Sequence, residues 1–520
     1  MKISINSSAP EAEFLTLSKS LQSVGFEINS SKDSQVDFNY LIEGEIPNSN
    51  VFSKPTVVFG AGIKDFIKQQ AEISIGKIIP EHEIRVRPQV INQRHKNDIY
   101  LSDELITIEI VNKDFQIGAT ANYHLVDYPV AIYLKSKNLF ILNIQKLTNF
   151  QNKNFLKFLK VWLKENLENF SEPELRVGLL AYGAIGHEHN RAVSSVAGFK
   201  LTAVCDSNPL RIEVAKEIAP EVTGFLDADQ LLDSDIDLVV ISTPPKSHFS
   251  WAKKALEKNK HVVLEKPMSL TVAECDELIK LAQEKNKTLV VYQNRRWDED
   301  FVTLQELVTN NEIGEVFHVE IFVGGYGHPC NYWHSDQEVS GGAIFDWGAH
   351  FLDQALGLFG KEIAYLTAKE HKLRWLDVTN SDHSRVTLNY KNGLEVEFIY
   401  SDIAAALKPK YYLLGTDGAI QGNWRLEKVT NRNEIGTLLE DELAPADSPA
   451  EIQVFDKTGS VKRVRLVSPA KYQFHSELAD WINFQIPMTV NAQTSRDVVA
   501  IMQAASESAA GGGLPVKPLL

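Results

Sequence analysis

Five short apolar runs punctuate one stretch of this chain, and each is separated from the next by an amphipathic helical stretch. They are RVGLLAY from Arg176, LTAVCD from Leu201, DLVVIST from Asp237, HVVLEK from His261 and TLVVYQ from Thr288. Strands that are joined through helices cannot pair as hairpins. Each must cross over in the right-handed sense and lie parallel to the last, with helices covering both faces of the sheet. The pattern predicts a doubly wound α/β domain over residues 174–297.

The first of these runs leads into Ala181-Tyr182-Gly183-Ala184-Ile185-Gly186 and then a helix. This is A-x-G-x-x-G, where the dinucleotide fingerprint has glycine in first place. Gly183 lets a backbone approach a pyrophosphate and Gly186 lets a helix pack closely, while the N–H groups of Ala184 and Ile185 face the phosphates at the helix start. Ala181 departs from the pattern if that turn requires positive φ. Asp206 ends the second run twenty residues beyond Gly186, the spacing of a carboxylate that binds a ribose 2′-hydroxyl. No basic residue adjoins it in sequence, so NAD is expected over NADP. The structural alternative for Asp206 is to cap the next helix.

Residues 1–170 and 298–520 read differently from the middle block. The first ends in the helical stretch NFLKFLKVWLKENLENF and the short linker SEPEL; its earlier runs suggest a small α/β domain. The last holds alternating runs such as EVFHVEIFV, SRVTLNY, LEVEFIY and VKRVRLV, and it closes on the helical TSRDVVAIMQAASESA. Period-two alternation predicts a large, mostly antiparallel open sheet whose second face needs a cover.

Composition excludes some functions. The net charge of −15 falls wholly beyond residue 170, because residues 1–170 hold 19 basic and 19 acidic side chains; no basic face suggests a nucleic-acid partner. Three scattered cysteines give no disulfide framework, and no apolar window approaches a membrane span, so a cytoplasmic protein is expected. Between Phe301 and His350 there are seven carboxylates and no Lys or Arg, which favours a neutral polyol or sugar over an acidic substrate. His328, Cys330 and His334 match no common zinc spacing, and no metal is expected.

Several ordered motifs carry a resemblance: RVGLLAYGAIG, VVISTPPKSHF, HVVLEKPMSLT, VYQNRRWD, GGAIFDWGAHFLDQAL and YLLGTDGAI. From Leu175 to the C-terminus the sequence resembles the Gfo/Idh/MocA family of glucose-fructose oxidoreductase, inositol dehydrogenase and related proteins. The resemblance implies a Rossmann domain followed by an α/β domain on an open sheet, and NAD-dependent oxidation of a sugar or cyclitol hydroxyl. It implies Lys266, Asp346 and His350 as the catalytic group, and a cofactor lined by Thr243, Pro244, Pro245, Glu265, Lys266, Pro267 and Arg295. His248 is expected to cap the helix after the Thr243 turn, and Pro267 to be cis.

A substrate wall of Asn294, Tyr326, Tyr332 and Trp333 is expected beside Asp346 and His350, which lie four residues apart and so on one helical face. Asp353 is either a surface ion-pair residue or an orienter of the same site. Homodimers or homotetramers are expected, through the open sheet of 298–520. Two other activities stay open, a glycosidase that uses transient oxidation by NAD and a non-catalytic NAD-binding sensor. Residues 1–170 resemble the end of a ThuA-type, amidotransferase-like domain. No cysteine precedes Cys205, so glutaminase chemistry is excluded and a non-catalytic module is expected.

Overall fold

The computed structural model describes residues 2–7, 11–29, 38–42, 55–59, 63, 73–90, 92–110, 115–123, 126–144, 146–168, 170, 172–425, 428–432, 438–442 and 448–520. Two compact units emerge: residues 1–174 with 476–488, and residues 175–475 with 489–520. The middle and last sequence blocks therefore share one unit, and the N-terminal unit includes a segment of the last block.

The N-terminal unit is built on a nine-stranded mixed sheet. Strands Lys2–Ser7, Glu27–Asn29, Phe38–Ile42 and Thr56–Phe59 run parallel, and Leu139–Leu142 joins them in parallel beside Thr56–Phe59. The remaining pairings, from Ile73–Pro88 through Val126–Leu134, are antiparallel. Helix Lys153–Leu167 starts at an Asn152 cap whose side chain accepts from the N–H groups of Asn154 and Phe155. It buries Phe155, Leu156, Phe158, Leu159 and Trp162 in a core that Phe484 and Ile486 complete. The same segment is tied by polar contacts: Arg94 to Asp480 at 2.9 Å, Lys164 to the Asn483 carbonyl at 2.7 Å and Lys160 to the Gln485 carbonyl at 3.0 Å. Burial pushes the Lys160 ammonium down to about 8.

In the second unit, strands Leu175–Leu180, Phe199–Cys205, Thr223–Phe225, Leu238–Ile241, His261–Leu264 and Leu289–Val291 form an all-parallel sheet. Counted along the chain their order is 3-2-1-4-5-6, the Rossmann arrangement. Five of the six are the apolar runs of the sequence. The strand Thr223–Phe225 escaped that reading because it is three residues long, on the sheet edge and not buried.

The eight-stranded sheet that follows is antiparallel at every pairing except one, between Val316–Gly324 and Glu395–Ser401. Alternation holds: Val386, Leu388, Val396 and Phe398 are buried, while Arg385 and Thr387 point the other way. Helices Gly348–Phe359 and Ala492–Ala510 pack with this sheet, and their apolar residues join one continuous core with the Rossmann strands. A fully buried ion pair, Lys410 to Asp300 at 2.7 Å, fixes the helix Glu299–Thr309 to the sheet.

Candidate active site

The first Rossmann strand ends at Leu180, and the turn that follows is built for close approach. Ala181 has φ 72°, the left-handed region, so the residue that stands in place of glycine carries strain of about 1 kcal/mol. Its N–H donates to the Cys205 carbonyl at 2.8 Å, which holds the turn to the neighbouring strand. Gly183 is the N-cap of helix Ala184–Ser195, and no atom lies within 4 Å of the place a Cβ would occupy, so the space before the helix terminus is clear. At Gly186 a Cβ would meet the Tyr182 ring at 3.2 Å, which accounts for glycine there by packing.

Asp206 is buried, and its carboxylate accepts from the N–H groups of Tyr182 and Asn208, both at 2.8 Å. The cap of helix Pro209–Ile218 is Asn208, not Asp206. Arg211 lies one turn into that helix with Nη1 3.4 Å from Asp206, which corrects the expectation that no basic side chain adjoins this carboxylate. Helical spacing brought it there across the Ser207-Asn208-Pro209 start.

One cavity of about 1550 Å³ opens along the carboxyl ends of the strands. It brings together Gly183, Ala184, Ile185, Asp206, Thr243, Pro244, Pro245, Glu265, Lys266, Pro267, Asn294, Arg295, Trp333, Asp346 and His350, all named from sequence. Gly186, His248 and Tyr326 are not among its lining residues. Tyr326 is exposed and meets the Trp375 ring edge-on at 6.2 Å. Tyr332 lines the cavity beside Trp333, and so does His334.

His248 does not cap its helix. It is fully buried, with Nδ1 2.8 Å from the Pro267 carbonyl and Nε2 2.7 Å from the Thr243 carbonyl, and so clasps two cavity-lining turns together. Burial pushes its pKa down, against the two acceptors, which favour a doubly protonated ring. The Lys266–Pro267 peptide is cis.

Lys266 leaves the strand His261–Leu264 and places Nζ 2.6 Å from Asp346 Oδ1. Asp346 closes the short helix Ala343–Asp346, and a second helix, Gly348–Phe359, begins after one residue. The single helix expected here is thus interrupted at Trp347, which keeps helical dihedrals, φ −78° and ψ −33°, so that Asp346 and His350 still line one cavity. Burial would raise the Asp346 carboxyl, but Lys266 and His334 outweigh it and hold the group well below the usual carboxylate range. Burial, and then the charges of Lys266 and Arg295, push His350 well below the usual histidine range; it stays neutral, with its buried Nδ1 making no hydrogen bond.

Of the two adjacent arginines, Arg295 lines the cavity, 5.3 Å from the Trp347 ring centroid. Arg296 makes a two-pronged pair with buried Asp353, 2.6 Å on each prong, which gives Asp353 a structural partner away from the cavity wall. His328 pairs with Asp377 at 2.8 Å and Cys330 with Ser335 at 3.3 Å, so the histidines and cysteine of that loop point to separate partners. Among the described residues no group of three or more His, Cys, Asp or Glu could hold a metal, and no helix is long and apolar enough to cross a membrane.

Comparison with known proteins gives two adjoining family matches. Residues 175–293 match the GFO_IDH_MocA oxidoreductase family with its NAD-binding Rossmann fold, and residues 301–421 match the GFO/IDH/MocA C-terminal domain. The oxidoreductase YdgJ of Escherichia coli is 33% identical over 248 residues, 47% of this chain and 70% of that protein. The scyllo-inositol 2-dehydrogenase (NADP(+)) IolW of Bacillus subtilis is 27% identical over 343 residues, 64% of this chain and 93% of that protein. The chain spans 58% of the length of two fission-yeast oxidoreductases that it also matches. Among solved structures, the YPO2259 oxidoreductase of Yersinia pestis is 27% identical with a TM-score of 0.56, covering 67% of this chain and 99% of that one.

Proposed function

The chain belongs to the Gfo/Idh/MocA family of oxidoreductases, and from that premise we propose that it transfers a hydride between a sugar or cyclitol hydroxyl carbon and NAD. The observation that carries this reading is that Lys266, Asp346 and His350 converge in the same cavity as Gly183 and Asp206. An acid–base group and a dinucleotide cradle in one cavity support hydride transfer at a hydroxyl-bearing carbon.

The residues present fit a dinucleotide. The clear space before Gly183 and the free end of helix Ala184–Ser195 suit a pyrophosphate, and the Asp206 carboxylate suits a ribose hydroxyl. A bound nicotinamide supplies hydride acceptance and return. The chain's own groups manage the proton and the charge. Neutral His350 is free to take a hydroxyl proton, Lys266 stabilises negative charge that develops on the hydroxyl oxygen, and Asp346 holds the lysine in place. Tyr332 and Trp333 offer aromatic faces for a sugar ring.

A panel of myo-inositol, scyllo-inositol, aldoses and glycosides incubated with NAD, followed for reduced nicotinamide and for released aglycone, tests the reading. NADH formation from a polyol or aldose without aglycone release is expected; release of aglycone would move the assignment to a glycosidase.

NAD preference rests on Asp206, whose carboxylate repels a 2′-phosphate although Arg211 stands beside it. Asp206→Ala should weaken NAD binding by about 1–3 kcal/mol, the worth of a hydrogen bond to a charged group. Calorimetric titration of both dinucleotides decides the matter, and NADP binding as tight as NAD overturns the preference. The same reading includes a homodimer or homotetramer formed through the eight-stranded sheet, and a monomer by light scattering at micromolar concentration contradicts it.

A further inference from the structure

We propose that His475 is a positioning residue for the dinucleotide: by donating to His189 it makes His189 a donor to Glu265, and so holds that carboxylate in place in the cavity wall. The proposal rests on the reading above that the cavity binds a dinucleotide. It assigns a role to two histidines that are not among the cavity's lining residues.

Glu265 follows the strand His261–Leu264, lines the cavity beside Lys266 and keeps only 12% of its side chain exposed. Its Oε2 accepts from the Lys266 N–H at 3.2 Å, a bond within the turn itself. Its Oε1 lies 2.9 Å from Nε2 of His189, which is fully buried on helix Ala184–Ser195. On the far side of that ring, Nδ1 is 3.1 Å from Nε2 of His475, which comes 286 residues later on helix Gln473–Phe484 and is also buried. Tyr292 packs against both imidazoles, with centroids 4.5 and 5.3 Å away, and donates its own hydroxyl to Glu188, a second carboxylate of the cavity wall. Groups from distant parts of the chain are thus gathered behind two cavity carboxylates.

The direction of these bonds follows from proton counting. Two facing ring nitrogens form a hydrogen bond only if one carries a proton and the other does not. Burial, and then the neighbouring His189, push His475 well below the usual histidine range, so its ring is neutral and has one N–H. A proton on Nδ1 would be stranded, because that atom is buried and has no hydrogen-bond partner among the described residues. The proton therefore sits on Nε2 and points at His189 Nδ1. That nitrogen is then the bare acceptor, and the single proton of a neutral His189 lies on Nε2, aimed at Glu265. No other tautomer of a neutral His189 serves both neighbours. Without His475, nothing keeps the proton on the Glu265 side of the ring, and the carboxylate is left with its turn bond alone. A carboxylate in the wall accepts from a sugar hydroxyl of a dinucleotide only when it is turned to the cavity, and this chain of bonds fixes the turn.

Two measurements test the assignment. In protein free of cofactor at neutral pH, side-chain 15N NMR of histidine-labelled protein, with signals identified by their loss in His189→Asn and His475→Gln, should show both rings neutral and protonated at Nε2. A His189 that carries both protons, or carries its one proton on Nδ1, overturns the proposal. In calorimetric titration, His475→Phe should bind NADH roughly 5- to 10-fold more weakly, the worth of one hydrogen bond. It should bind AMP, which spans only the Asp206 end of the cavity, within about twofold of the parent. His475→Gln, whose amide N–H replaces the Nε2–H, should return NADH affinity to within about threefold of the parent. A histidine that only supports the fold would weaken AMP and NADH together, and that result overturns the proposal. Parent-like NADH affinity in His475→Phe, or no recovery in His475→Gln, overturns it as well. If His475→Phe does not fold, the ring tautomers of the parent decide the question alone. A parent chain that binds neither NADH nor NADPH instead refutes the dinucleotide reading, and the NMR result still decides the His475–His189 bond.

Discussion

Lys266→Ala and His350→Ala should each lose ~100-fold to 10,000-fold in turnover while NADH binding, followed by fluorescence, changes little. The two losses have different origins. Removing Lys266 takes away the 2.6 Å partner of Asp346, so the carboxylate's pKa should rise toward its ordinary range and the negative charge developing on the substrate oxygen loses its counter-charge. Removing His350 takes away the neutral acceptor. The pH profile separates these effects. Because burial and the Lys266 and Arg295 charges push His350 well below the usual histidine range, protonation should extinguish activity only well below pH 6.5, the ordinary midpoint of histidine. A limb centred at that ordinary midpoint would show that another group controls the rate. Near-parent turnover in either variant refutes that residue's role.

Asp300→Ala should destabilise the second unit by roughly 3–5 kcal/mol, the cost of leaving one charge of a buried pair unpartnered. Lys410 and Asp300 are both fully buried, and the same carboxylate also accepts from the Ala450 N–H at 2.7 Å. The loss should appear as a lower thermal midpoint. Replacing both charges, Asp300→Leu with Lys410→Met, should recover much of it, since the penalty arises mainly from the stranded ammonium. A double variant no more stable than Asp300→Ala would show that the Ala450 bond, not the ion pair, holds the helix to the sheet.

Much of the second unit is legible in the sequence because its signals are local. Apolar runs separated by helices fix a parallel sheet, and Lys266 and Asp206 end such runs, so their places at the carboxyl edge follow from position alone. Contacts that depend on side-chain direction are harder to read. Arg211 reaches Asp206 across a helix start, and His248 turns back toward two carbonyls instead of capping its helix. His334 lies in a loop of His and Cys residues that matches no zinc spacing, and only the fold sets it beside Asp346, twelve residues later. Tyr326 shares its loop's aromatic character yet faces Trp375 outside the cavity. The division of the chain is the least legible feature, because nothing in the sequence around residue 480 announces that Phe484 and Ile486 serve a core whose other members end at Leu163.

That shared core sets a timetable for biosynthesis. The Lys160 ammonium meets the Gln485 carbonyl across 325 positions of chain, so the first unit cannot finish its interior until the ribosome has made nearly the whole polypeptide. At about 5–20 residues per second the wait lasts roughly 15–60 s. During that interval the nascent N-terminal sheet and the helix carrying Phe158 and Trp162 lack the contacts of Phe484 and Ile486, a state in which holding chaperones find their substrate. The segment translated first must therefore wait for a piece made near the end of the chain, and the second unit waits longer still for helix Ala492–Ala510.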